Sequence, residues 1–140
     1  MEAFRLHPRL QSDTMLLAEW PLSLLLLMDD ARYPWFILVP RRWNVQEIYQ
    51  LDESDQQQLW QESSRLGRAA MQAFGGDKLN VAALGNLVPQ LHLHHIVRYR
   101  DDETWPGPVW GKGEPRPYTT AERDMVISRL LQAIEPGSRS

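Results

Sequence analysis

Between Thr14 and Val39 three short apolar runs follow one another: TMLLAEW at 14–20, LSLLLLM at 22–28 and WFILV at 35–39. Pro21 divides the first two, and DDARYP divides the second from the third. Proline interrupts a helix by removing a donor and clashing with the preceding turn, so one continuous helix is ruled out. Short runs punctuated in this way read as an antiparallel meander. The most apolar segment, PLSLLLLM, is far below the roughly 20 residues needed to span a bilayer. The first twenty residues carry Glu2, Asp13 and Glu19, unlike a secretory leader. The expectation is a soluble, cytoplasmic protein in which this run is a buried strand.

After PRRW leaves the sheet, Asp52 to Phe74 has apolar residues Leu59, Leu66, Ala70 and Phe74 near helical spacing, with Asp52 or Ser54 as cap. Gly75-Gly76 closes that helix. KLNVAAL (78–84) predicts a fourth strand, Gly85-Asn86 a turn, and QLHLHHIVRYR (90–100) a fifth strand. The Pro- and Trp-rich segment from Asp101 to Tyr118 predicts an ordered loop anchored by its aromatics, Trp105 and Trp110 among them. TAERDMVISRLLQAI (120–134) predicts a closing helix, with Thr119 or Thr120 as cap and Met125, Leu130, Leu131 and Ile134 as apolar candidates. The fold class is α+β: an about five-stranded antiparallel sheet with one long helix and a C-terminal helix. The 140 residues suit a single domain, drawn over 1–136, with 137–140 as a frayed tail.

Composition narrows function. A net charge of -3, with no basic stripe beyond Arg41-Arg42, argues against nucleic acid as a partner. The absence of cysteine removes disulfides, thiolate metal sites and thiol nucleophiles together.

Three of the four histidines fall within four positions, at His92, His94 and His95. Side chains alternate across a strand, so Gln90, His92, His94, Ile96 and Arg98 share one face. Leu91, Leu93, His95 and Val97 share the other. The first face is a poor hydrophobic surface but a good anion site, because imidazole, amide and guanidinium groups all donate to phosphate oxygens. His95 points the opposite way and reads as a hydrogen-bonded core or interface residue, and His7 as a surface residue. The rival reading of His92 and His94 is a metal site. Zinc usually takes three or four protein ligands, and no third is visibly placed, so no metal is expected.

The stretch GNLVPQLHLHHIVR, Gly85 to Arg98, resembles the signature of the histidine triad (HIT) family, in which three histidines alternate with apolar residues. Many members read Val-Pro-His-Leu-His-x-His, two apolar residues, then Pro-Arg. Val88-Pro89 match, Gln90 stands for the first histidine, His92 and His94 are the second and third, Val97 replaces the proline and Arg98 matches. FILVPRRW is similar to the family segment ending in a fourth histidine, here Trp43, and LNVAALGN resembles the preceding strand. Roughly residues 14 to 98 follow the family order.

The resemblance implies a HIT-like fold, a homodimer, no cofactor and hydrolysis or transfer at the α-phosphate of a nucleotide conjugate. His92 would be the nucleophile forming a nucleotidyl-histidine, and His94 would orient the phosphate. Asn80 would lie near the ribose and phosphate. Asn86 stands where many members carry Gln, Leu87 where they carry a hydroxyl, and Gln90 and Trp43 where they carry histidine. Gln cannot shuttle a proton at neutral pH, so leaving-group assistance is expected to be weakened. Arg98 reads as either a phosphate contact or a surface ion pair, and Trp43 as a cap on the sheet end or a stacking platform for a base. The alternatives are a non-catalytic nucleotide-binding module and a protein-interaction module that keeps the fold.

Overall fold

A computed structural model describes residues 3–139, with side chains as far as residue 134. The three apolar runs form β1 (Thr14–Glu19), β2 (Ser23–Met28) and β3 (Trp35–Pro40), paired antiparallel in sequence. The long helix α2 (Glu53–Phe74) follows, then β4 (Lys78–Ala82) and β5 (Leu93–Arg98). The sheet order is β1-β2-β3-β5-β4, every pair antiparallel. The chain crosses through α2 to lay β4 at the edge, then turns back to insert β5 between β3 and β4. The histidine strand is therefore hydrogen-bonded on both sides.

The two sheet faces are covered differently. Leu25, Leu27, Phe36, Leu38, Leu93 and Val97 pack against Leu59, Leu66, Ala70 and Phe74 of α2, and against Leu130 and Ile134 of the closing helix α3 (Thr120–Arg139). Helix α2 starts where the Asp52 side chain accepts the Asp55 N–H at 2.8 Å, with Glu53 and Asp55 complementing the helix dipole. It stops at Gly75, whose φ of 59° is the left-handed conformation, with its N–H returning to the Met71 carbonyl at 3.0 Å. Leu24, Leu26, Trp35, Ile37, Val39 and Ile96 point the other way and meet no long helix. They are covered by the N-terminal segment, through Phe4, Leu6 and Leu10, and by the Pro/Trp loop, through Val109 and Trp110.

Several boundaries depart from the sequence reading. The N-terminal segment contains a short helix, α1 (Pro8–Asp13), capped by His7. Six residues are too few to show helical periodicity. His7, read as a surface residue, is half-buried there. Strand β5 starts at Leu93 and not at Gln90, because the Leu91 N–H donates to the Val45 carbonyl in the loop after β3 at 2.9 Å. Strand β4 ends at Ala82, two residues early. Helix α3 carries on through 137–139, where a tail was expected, and Ser140 lies outside the described residues. Its start is a reciprocal cap: Thr119 Oγ1 accepts the Glu122 N–H at 3.2 Å and Glu122 Oε1 accepts the Thr119 N–H at 3.0 Å. Met125, an apolar candidate, faces out at 62 % exposure. Among the described residues no helix is long and apolar enough to cross a membrane.

Candidate active site

The alternation along β5 sends His94 and Ile96 to the face without long helices and His95 to the α2 face. His95 is fully buried; its Nε2 lies 2.7 Å from Ser63 Oγ and its Nδ1 3.1 Å from the Leu93 carbonyl. A carbonyl only accepts, so Nδ1 carries the proton and the Ser63 hydroxyl donates to Nε2. Burial pushes this imidazole down to about 4, against the raising effect of the Leu93 and Phe36 backbone bonds. His95 is a fixed strut between strand and helix, as its face had suggested.

His92, just before β5, and His94 come together with ring centroids 4.8 Å apart and planes at 71°. Their hydrogen bonds assign them complementary tautomers. His92 Nδ1 lies 2.6 Å from the Gln90 carbonyl, which can only accept, so Nδ1 holds the proton and Nε2 keeps a lone pair. His94 Nδ1 accepts the Trp35 indole N–H at 3.0 Å, so the proton of this ring sits on Nε2. A nucleophilic nitrogen thus stands beside a hydrogen-bond donor. Among the described residues neither Nε2 has a partner, and neither is among the unpaired atoms shut away from solvent, which are Ser23 Oγ and Glu62 Oε1.

The electrostatics agree with the tautomers. Burial lowers the His92 imidazole below its usual range, the Gln90 carbonyl bond opposes that, and the neighbouring His7 adds to the lowering. His94 is driven down to about 3, first by burial and then by the proximity of His92 and His95. Both rings are therefore neutral at physiological pH, the form that attacks and the form that donates. The pair is more enclosed than an open hollow would be: His92 is 6 % and His94 4 % exposed. Trp110 closes over His94 at 5.1 Å between ring centroids, and Trp35 lies at 5.7 Å.

The other predicted site residues are dispersed. Gln90 is on the histidine face, but its amide is taken by its own chain: Oε1 accepts the His7 N–H and Nε2 donates to the Arg5 carbonyl, both at 2.8 Å. Arg98 forms an ion pair, one of its two expected roles, but a buried one rather than one at the surface. It is buried at 1 % exposure, bonded to Asp102 at 2.9 and 3.0 Å, to Thr104 Oγ1 at 3.1 Å and to Asn80 Oδ1 at 2.8 Å. Burial alone would raise the Asp102 carboxyl, but the Arg98 guanidinium and the Tyr99 N–H hold it below its usual range. Asn80 pairs with Ile96, two residues along the ladder from Ala82 opposite His94, and its side-chain oxygen is spent on Arg98. Asn86 and Leu87 are exposed on the loop after β4, Leu87 at 77 %. Trp43 is half exposed and lines a cavity of about 390 Å³ with Gln90, Pro89, Val45 and Phe4.

Trp35 was read only as an apolar strand residue, yet it sets the His94 tautomer. Its signal was the spacing that puts it diagonally across from His94 once β3 pairs with β5. Among the described residues no three His, Cys, Asp or Glu side chains gather as a metal-holding group.

A HIT domain family model matches residues 9–101. The chain is similar to a histidine triad protein of Marinobacter aquaeolei, at 54 % identity over 96 % of this chain and 98 % of that one, with a TM-score of 0.93. It is also similar to one from Bradyrhizobium japonicum, at 49 % identity over 95 % and 99 % with a TM-score of 0.93. A third, from Sinorhizobium meliloti, shares 38 % identity over 93 % and 96 % with a TM-score of 0.91. No protein of curated function matches. With signature, sheet order and relatives in agreement, the chain belongs to the histidine triad (HIT) family.

Proposed function

We propose that the protein binds nucleotides and cleaves a nucleotide conjugate at its α-phosphate through His92. The carrying observation is the pair of opposite tautomers: a lone pair on His92 Nε2 beside an N–H on His94 Nε2. The His92 lone pair forms a bond to the α-phosphorus while the bond to the leaving group breaks and its electrons depart with that group. His94 donates to a phosphoryl oxygen and stabilises the charge gathering there. Water then attacks phosphorus, losing a proton to solvent, as the P–N bond breaks, its electrons return to Nε2, and a nucleoside monophosphate is released. No metal or cofactor takes part.

Leaving-group assistance is weak in this scheme. Gln90 has no proton to give and is held by the N-terminal segment, while Trp43 and Leu87 offer no acid. General acid help is typically worth about 10²–10⁴ in rate, so substrates whose leaving group departs unprotonated are favoured. The active form is a homodimer, for which the exposed Trp60 on α2, at 66 % exposure, is a candidate contact. The cytoplasm is the expected location.

The test is mass spectrometry of protein quenched in alkaline denaturant during turnover of an acyl adenylate, whose carboxylate leaves unprotonated. A nucleotidyl adduct on His92, lost in His92→Asn, is expected. Equal turnover by wild type and His92→Asn would remove the enzymatic reading. The second reading, nucleotide binding without chemistry, draws on the committed amide of Gln90; it predicts saturable monophosphate binding and no adduct.

A further inference from the structure

The nucleotide reading leaves the face of Gln90 without a donor for the phosphoryl group, since both atoms of its amide are occupied. What occupies them is the N-terminal segment, and that segment brings a histidine of its own. Gln90 links the two residues: its main-chain carbonyl holds His92 Nδ1 at 2.6 Å, and its side-chain oxygen accepts the His7 main-chain N–H at 2.8 Å.

Resting on the nucleotide reading, we infer that His7 belongs to the same site and donates from Nε2–H to a non-bridging oxygen of the phosphoryl group that His92 attacks. Three observations support the placement. The His7 ring is set by its cap: Nδ1 accepts the Arg9 N–H at 3.1 Å, which requires a lone pair there and leaves the ring proton on Nε2, at the far end. The segment is held as a body, because Phe4, Leu6 and Leu10 pack into the cluster that contains Trp35 and Ile96 on the histidine face. His7 is also close enough to His92 for a charge on one to oppose a charge on the other. A donor already positioned before the reaction stabilises developing charge without reorganisation. The proton stays on His7 throughout, so this role assists the phosphoryl oxygens and does not replace the missing acid. The Gln90 amide holds the segment in place, accepting from the His7 main-chain N–H and donating to the Arg5 carbonyl.

Two variants separate the donor from the cap. In His7→Asn the short amide still caps α1, Asn being a favoured N-cap residue, but it cannot reach the Nε2 position. In His7→Gln the amide N–H reaches about that far. The common nucleoside 5′-monophosphates are titrated calorimetrically against each protein, with the matching nucleosides alongside, and adduct formation on His92 is timed with an acyl adenylate. His7→Asn is expected to weaken the best monophosphate about tenfold or more, leave its nucleoside unchanged, and slow adduct formation by about 10²-fold. His7→Gln should recover most of both. If His7→Asn matches wild type while the His92 adduct forms normally, the assignment of His7 fails and the nucleotide reading stands. Equal weakening of monophosphate and nucleoside would mean a loosened segment and would also overturn it. A wild-type protein that binds no monophosphate and forms no adduct overturns both.

Discussion

Trp35 donates its indole N–H to Nδ1 of His94 at 3.0 Å across the boundary between β3 and β5. In the ladder Trp35 faces Ile96 and His94 faces Ile37, so the two are diagonal neighbours, within reach for a long aromatic side chain. A single buried bond decides which His94 nitrogen carries its proton.

Replacing Trp35 by Phe keeps an aromatic filler and deletes the donor. His94 Nδ1 is then a buried acceptor without a partner, which costs about 1–3 kcal/mol. Urea unfolding should show a lower midpoint at unchanged slope. The freed tautomer should also weaken nucleoside monophosphate binding, read by calorimetry.

The pair of His95 and Ser63 is testable in the same way on the opposite face. Ser63→Ala removes the 2.7 Å bond and leaves His95 Nε2 unpaired in the core. The expected loss is again about 1–3 kcal/mol. Chemistry at His92 should persist in the folded fraction, as measured by adduct formation.

Stability should fall on mild acidification. Folding lowers His94 to about 3 and His95 to about 4, from an unfolded value near 6.5. Groups depressed in the fold contribute stability that is fully present above the unfolded value, and it is lost as pH falls towards the folded values. Unfolding should therefore take up about two protons across the window from about 6.5 to about 4. Denaturation midpoints measured through that range should give the slope, and His95→Gln should remove about one proton from it.

The buried pair of Arg98 and Asp102 makes a further prediction. Asp102 accepts from Arg98 and also from the backbone N–H groups of Tyr99, Thr104 and Trp105, so it fixes the start of the Pro/Trp loop. Asp102→Ala strands a buried guanidinium and should cost about 3–5 kcal/mol. Thermal unfolding checks this, and hydrogen exchange over residues 99–110 should rise in the same variant.

The meander, the main helix with its Asp52 cap and glycine stop, and the shared face of His92 and His94 were all legible in the sequence, because alternation and capping are local. The partners of the histidines were not. That Trp35 reaches His94, or that Ser63 reaches His95, depends on pairing between segments about 30 to 60 residues apart, as the bonds' sequence separations of 59 and 32 show. Arg98 was legible in part. It was read as either a phosphate contact or a surface ion pair, and it does pair with Asp102 four residues on; that the pair is buried was hidden, because Asn80, which completes it, lies 18 positions away on β4. The role of Gln90 was hidden because its partners, Arg5 and His7, lie more than eighty positions away.

The insertion of β5 between β3 and β4 has a consequence for how such a protein can change. The His92 ring is anchored next to an interior strand hydrogen-bonded on both sides, whose main-chain amides should be slow to exchange with solvent. The walls around the histidine pair are instead the N-terminal segment and the Pro/Trp loop that precedes α3. Sequence changes in those two stretches can therefore remodel the walls, while the strand that carries His94 stays put.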